Sequence, residues 1–442
     1  MYSYNLGTFF IIDEDAFKSL IEVYVNKKAF PSTRVINRLA SAGAFENIDY
    51  SFDGKHNDKN ILNSFLNCNF IVFETSNNCQ LACDYCSYGK LYDSLETFRD
   101  DELSIDTAKN LIGYLYENGT AGWKDNSSKL TLGFYGGEPL LRPDFILSII
   151  EHCNSLNVFP QYAITTNGIL LKKNIDLLVK NNFQILVSLD GPKDGNTARR
   201  MINGKPSFGQ VVDSLLFLKQ TYPDFYKTNV AVNAVLTSYT DLDREIKFFK
   251  NDLGLSNWNF NAISEFGTKE ELLAEFNKLN YSAQLPENET AINNAASNLC
   301  WNAPIDYNLL FQDGFRFPNT IPTNTCLPFG KKAFLSSKGY LFACEKIAMN
   351  MPLGIVTEES LQIFSSEVAS QYNDIFNKYR EYCVRCQKFP VCTKCALQSD
   401  DKDLCPEFLE KYNLQEWFSD RISKLKNRKT VLNHILDNAR YV

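Results

Sequence analysis

Between residues 70 and 263 the chain carries six short apolar runs separated by amphipathic stretches, and this alternation limits the fold more than any other feature. The expected strands are 70–74, 130–135, 162–165, 184–189, 229–236 and 258–263. Helical spacing of apolar residues covers 104–118, 143–153, 172–181, 208–221 and 242–251 between them. Strands that each need a helix as cover form parallel βαβ units, so the expected class is α/β, as an open sheet or a partial barrel. Right-handed crossovers then bring the C-terminal ends of all the strands to one face.

Composition narrows the function. With 442 residues, 44% hydrophobic and 22% charged, the chain is globular and long enough for several domains. Its 45 basic and 52 acidic residues leave a net charge of −7, which provides no basic footprint for a nucleic-acid partner. No apolar run approaches the roughly 20 residues of a membrane span, and the N-terminus lacks the pattern of a secretory signal. The expectation is a cytoplasmic protein without a membrane partner, in which thiols stay reduced and clustered cysteines mean metal.

There are 13 cysteines, none before Cys68. Three lie between Cys79 and Cys86 and seven between Cys326 and Cys405, whereas His56, His152 and His434 are the only histidines.

Outside the repeat, residues 1–66 read as a small module. A Gly-centred hairpin over 4–12 leads to a helix capped by Asp13 with Phe17, Leu20, Ile21 and Val25 on one face. A second helix near Pro31 carries Val35, Ile36 and Leu39, and a polar connector follows over 54–60. The expected division is this module, a barrel over 67–290, a cysteine-rich region over 291–410 and closing helices over 411–442. The cysteine-rich region shows little periodicity, so bound metal rather than core packing is its expected organiser.

Cys79-Gln-Leu-Ala-Cys83-Asp-Tyr-Cys86 follows the first strand of the repeat and supplies three thiolates without a fourth. A closed structural zinc site needs four ligands. A four-iron cubane held by three keeps one iron open for a ligand. The second strand ends in Gly136-Gly137-Glu138-Pro139, the third in Thr165-Thr166-Asn167-Gly168 and the fourth in Ser188-Leu189-Asp190-Gly191-Pro192, so these loops meet the cysteine loop at one mouth. Alone, each is also an ordinary βα turn.

With Tyr85 before the last cysteine, then Gly-Gly-Glu-Pro and Ser-Leu-Asp-Gly in order, the chain resembles the radical SAM superfamily over roughly residues 70–263. The resemblance implies a partial (β/α)6 TIM-like barrel in which Cys79, Cys83 and Cys86 hold a [4Fe-4S] cluster that binds S-adenosylmethionine. By the same motif positions, Gly136, Gly137 and Glu138 would meet the methionine amino group, Tyr85 the adenine, and Ser188 the ribose or carboxylate. Asn167 is suited to hydrogen-bonding the cofactor.

The later cysteines, Cys326-x12-Gly339-x4-Cys344 and Cys383-x2-Cys386-x5-Cys392-x2-Cys395-x9-Cys405, resemble the SPASM extension with its two auxiliary iron–sulfur clusters. That resemblance implies Cys383, Cys386, Cys392 and Cys405 on one cluster and Cys326, Cys344 and Cys395 on the other, with Cys300 a candidate fourth ligand. The two residues between Cys392 and Cys395 depart from the usual three. A four-thiolate zinc site over Cys383, Cys386, Cys392 and Cys395, in a binding protein without catalysis, is the competing reading. Cys68 and Cys153 read as core residues.

The function implied is that of a SPASM-type maturase acting on a ribosomally made peptide by cross-linking, epimerisation or oxidation, with flavodoxin or ferredoxin as electron donor. A sulfatase-type maturase forming formylglycine is the alternative. No catalytic residue is assigned. Glu345 beside Cys344 reads as a base or a solvated glutamate, and Arg199 and Arg200 as carboxylate-binding or solvated. Residues 1–66 read as a leader-peptide-binding, winged-helix-like module or as a cap on the barrel.

Overall fold

The computed structural model describes residues 2–3, 8–26, 29, 31–45, 51–52, 56–89, 91, 101–119, 123, 129–263, 272–279, 320–321, 326–330, 332–345, 351–383, 385–386, 395–398 and 440–441. At the N-terminus β1 (Tyr2–Ser3) and β2 (Thr8–Ile11) pair antiparallel, with Tyr2 opposite Phe9. Asp13 caps α1 (Glu14–Asn26), its Oδ1 accepting from Ala16 N at 2.6 Å. Thr33 caps α2 (Arg34–Ser41) by accepting from Ile36 N at 3.2 Å. Leu20, Ile36 and Leu39 are buried between the two helices, in a cluster separate from the main core.

After β3 (Ser51–Phe52), the polar stretch expected as a connector instead starts α3 (Asp58–Leu66). Asn57 is polar because it is the cap, accepting from Asn60 N at 3.0 Å. Ile61 and Phe65 of α3 belong to the main core.

The barrel strands are β4 (Phe70–Ser76), β5 (Thr131–Gly136), β6 (Gln161–Thr166), β7 (Gln184–Ser188), β8 (Val230–Leu236) and β9 (Trp258–Ala262). They run parallel in sequence order, which is the one-way winding of a partial barrel rather than a doubly wound sheet. The intervening helices are α4 (Ile105–Asn118), α5 (Pro143–Ser155), α6 (Ile175–Lys180), α7 (Phe208–Thr221), α8 (Pro223–Asn229) and α9 (Leu242–Lys247). Their apolar faces bury an aromatic layer in which Phe134 packs against Phe73 and Phe183 at 6.0 and 5.8 Å. The expected helix over 172–181 is split into a 3-10 turn at Lys172–Asn174 and α6. Helix α10 (Leu273–Leu279) follows β9.

The cysteine-rich region differs from its expectation. After β10 (Thr320–Ile321), which pairs with β3, strand β11 (Ala333–Leu335) runs parallel to β4 with Phe334 opposite Val72. An antiparallel meander of β12 (Tyr340–Phe342), β13 (Gly354–Val356) and β14 (Leu361–Ile363) completes one ten-stranded sheet. Gly339, at φ +83°, makes the β11–β12 turn, where a Cβ would meet the Val356 carbonyl oxygen at 2.3 Å. Helix α11 (Ser365–Cys383) packs on α3, burying Val368, Ala369, Tyr372 and Phe376. Three-residue strands and a mostly polar helix leave little periodicity to read, yet they carry ordinary core packing. The closing helices expected over 411–442 lie outside the described residues, apart from β15 (Arg440–Tyr441), which pairs with β2. Among the described residues no helix is long and apolar enough to cross a membrane.

Candidate active site

The cysteine loop leaves the end of β4 and is fixed on two sides. Asn77 and Asp101 exchange hydrogen bonds at 3.1 and 3.3 Å. Ala82 N and Asp84 N donate to the carbonyls of Arg200 and Ala198 at 2.8 and 3.0 Å, so the segment after β7 braces the loop. Cys79, Cys83 and Cys86 line one cavity of ≈ 730 Å³ together with Tyr85, Gly136, Gly137, Asn167 and Ser188. Eight of the residues expected at the site thus line one cavity.

Burial raises all three thiols, Cys79 to about 11, so thiolates here require a neighbouring positive charge. Donors are already aimed at two of the sulfurs. Leu81 N and Asn167 Nδ2 each lie 3.4 Å from Cys79 Sγ, and Arg199 Nη1 lies 3.9 Å from Cys83 Sγ. Among the described residues no three His, Cys, Asp or Glu side chains are drawn together tightly enough for a single metal ion. A cubane places its thiolates on separate irons and so accepts a wider triangle, and this donor set fits it.

The two glycines after β5 serve chain packing as well as access. A Cβ on Gly136, at φ +124°, would lie 2.2 Å from the Ser76 carbonyl oxygen, and one on Gly137 would lie 2.2 Å from that of Asn78. The β5 loop is therefore pressed against the start of the cysteine loop. Glu138 sits behind it at 0% exposure. Its Oε1 accepts from Leu140 N at 3.0 Å and Thr166 Oγ1 at 2.7 Å, and its Oε2 from Asn167 N at 2.7 Å. The resemblance puts Glu138 on the methionine amino group; in this structure its carboxylate ties the β5 loop to the β6 loop and thereby orients Asn167.

Burial raises the Glu138 carboxyl from 4.5 to about 7. The folded protein then keeps a proton that the unfolded chain releases. The Glu138 contribution to stability is full below about pH 4.5 and is lost through pH 7, by ~3 kcal/mol. Thermal unfolding of wild type should weaken between pH 5 and 8 more than that of Glu138→Gln; parallel pH profiles would contradict this assignment.

Arg199 is neither solvated nor free. Its side chain is 9% exposed and Nε donates to Asp190 Oδ1 at 3.0 Å, while Asp190 itself is 0% exposed. Asp190 also accepts from the Tyr85 hydroxyl and, at 3.0 Å, from Val235 N. The guanidinium carbon lies 5.5 Å from the centre of the Tyr85 ring. Arg200 reaches Asp84 at 2.5 Å and stays exposed. Sequence reasoning left Asp190 unassigned, although it stands in a motif already singled out.

Across the cavity, Glu345 is paired with Lys332 and both side chains are largely buried in the wall, which excludes the solvated reading. Glu345 Oε2 lies 3.5 Å from Cys344 Sγ. Cys326, Cys344 and Cys395 gather around buried Tyr372: burial raises its hydroxyl pKa, and the charges of these three cysteines raise it further. Cys383 ends α11, and Cys386 N donates to its carbonyl at 3.2 Å, keeping the two in one turn. Cys300, Cys392 and Cys405 lie outside the described residues. Cys68 and Cys153 are buried in the core.

A one-way half-barrel with its thiol-lined cavity at the C-terminal ends of the strands is the architecture of a barrel enzyme that works at that mouth. Residues 73–246 match the family model of the Radical SAM superfamily. The radical SAM cyclopropyl synthase TigE of Paramaledivibacter caminithermalis is 31% identical over 214 residues, 47% of this chain and 42% of that protein. This chain therefore aligns with less than half the length of that relative. A cysteine-type anaerobic sulfatase-maturating enzyme of Clostridium novyi is 22% identical over 391 residues, 80% of this chain and 95% of that one. The solved structure of native anSMEcpe with bound AdoMet and Kp18Cys peptide shares the fold, with a TM-score of 0.57 at 17% identity over 83% of this chain and 99% of that chain. Residues 73–246 are thus a radical SAM domain.

Proposed function

We propose that this protein is a radical SAM maturase that modifies a peptide or protein by hydrogen abstraction, installing a cross-link, an epimerised centre or an oxidised side chain. The convergence of Cys79, Cys83 and Cys86 on a cavity that continues into the barrel lumen carries the reading. A [4Fe-4S] cluster on these three thiolates would supply the electron that cleaves S-adenosylmethionine to methionine and a 5′-deoxyadenosyl radical. Gly136 and Gly137 would present backbone groups to the amino acid end of that cofactor, and Tyr85 and Ser188 would bound its nucleoside. Arg199, fixed by Asp190, keeps a positive charge beside Cys83, which favours the thiolate. The barrel wall excludes water and competing hydrogen donors. Glu345, which lines the cavity paired with Lys332, would take a proton from substrate. Cys326, Cys344 and Cys395, with Cys383, Cys386, Cys392 and Cys405, would hold two auxiliary clusters, and flavodoxin or ferredoxin would deliver electrons.

The test is anaerobic incubation of the reconstituted protein with reductant and S-adenosylmethionine. The expected outcome is a brown protein with acid-labile sulfide that forms 5′-deoxyadenosine. A colourless, zinc-loaded protein forming none would reject the reading. The alignment over 95% of a sulfatase-maturating enzyme favours formylglycine formation as a second reading. Loss of sulfur from a cysteine in the treated peptide would identify it.

A further inference from the structure

We propose that Asn233, Asn259 and Asn261 form an uncharged ledge in the barrel lumen that binds the main-chain amides of an extended, uncharged substrate segment. This rests on the peptide reading above and assigns the contacts that reading lacks. Strand pairing places the ledge: Asn233 is opposite Ser188 on β7 and Asn259 on β9, and Asn261 is opposite Val235. All three asparagines line the cavity. Strand β9 alternates Trp258, Asn259, Phe260, Asn261; Trp258 and Phe260 are buried in the core, leaving the carboxamides for the lumen. Asparagine is depleted in strands, so its repetition on two neighbouring ones goes against local preference.

Small residues elsewhere in the barrel keep the lumen open. Gly133 and Ala163 are paired neighbours on β5 and β6, and with Ala231 on β8 they line the same cavity. Closed barrels fill such positions with branched apolar side chains. A carboxamide offers two donors and an acceptor in the arrangement of a peptide group. Asn261 Nδ2 donates to Asn233 Oδ1, which orients that pair, and Asn259 lines the same cavity beside them. The charged walls are already engaged, Arg199 with Asp190 and Lys332 with Glu345. A charged substrate side chain on the ledge would lose hydration without finding a counter-charge.

The ribose hydroxyls of S-adenosylmethionine could use the same hydrogen-bonding chemistry, and the experiment separates the two ligands. A pool of uncharged tetrapeptides capped at both ends, and the same pool with every main-chain nitrogen methylated, are dialysed against anaerobic holoenzyme with S-adenosylmethionine. Wild type should retain the unmethylated pool about tenfold better. The Asn259→Ala/Asn261→Ala protein should lose that preference while its iron content and S-adenosylmethionine retention stay those of wild type, and Asn259→Asp should shift retention toward lysine-containing peptides. Equal retention of both pools, an unchanged preference in the double variant, or loss of S-adenosylmethionine instead would overturn the ledge. If neither pool is retained and none raises 5′-deoxyadenosine output, the peptide reading falls with it. Retention that ignores main-chain methylation rejects the ledge alone.

Discussion

Asp190→Ala should destabilise the protein by about 3–5 kcal/mol, because it leaves the Arg199 guanidinium buried without its counter-charge. The side chain also accepts from Tyr85 and Val235 N, so two further polar groups lose a partner. A urea titration of the iron-loaded protein followed by circular dichroism measures the shift. The double variant Asp190→Ala/Arg199→Leu should recover most of the loss, since replacing a buried pair by apolar groups is far milder than removing one member. A double variant no better than the single would mean that cavity formation, not an orphaned charge, sets the effect. Charge burial here has a functional counterpart: the same guanidinium lies beside Cys83 Sγ, so the stability of the loop and the environment of its sulfur are coupled.

A larger effect on activity is expected from Cys83→Ala. The variant should retain about four fewer irons per chain than wild type and form no 5′-deoxyadenosine above background. Cys344→Ala, beside Glu345, should also lose iron but still cleave S-adenosylmethionine. Iron and sulfide analysis beside a chromatographic assay of 5′-deoxyadenosine distinguishes the two. Full activity of Cys83→Ala would remove the assignment of the open cluster to this loop.

The barrel was legible because its strands and helices announce themselves by period. The runs at 70–74 and 229–236 are long and apolar, and α7 begins and ends where its spacing predicts. Local chemistry was legible too: Asp13 caps α1 as a side chain three residues from an unpaired amide should. What escaped depends on partners distant in sequence. Tyr85 and Asp190 are joined across 105 positions, and nothing near either residue signals the other. Glu138 stands out in sequence by its motif position, whereas the hydrogen bonds it makes follow from complete burial and from donors beyond its own loop. Helix α11 was hidden by a polar surface around a narrow buried stripe. In the cysteine-rich region, the metal signal in the sequence masked an equally real contribution from Phe334, Leu341 and Phe376 to the shared core.

The pairing of β11 with β4 has a consequence for how such a protein can be divided. Strand β4, which carries the cysteine loop, has β5 on one side and β11 on the other, so neither of its edges is open. Cutting the chain after the barrel would bare a row of amides and carbonyls beside the active-site loop and invite pairing with a second molecule. A relative that dispenses with the C-terminal region must cover that edge by other means. Shortened or chimaeric versions should therefore keep β11 to β14, which cover that edge among the described residues, and α11, which packs on α3.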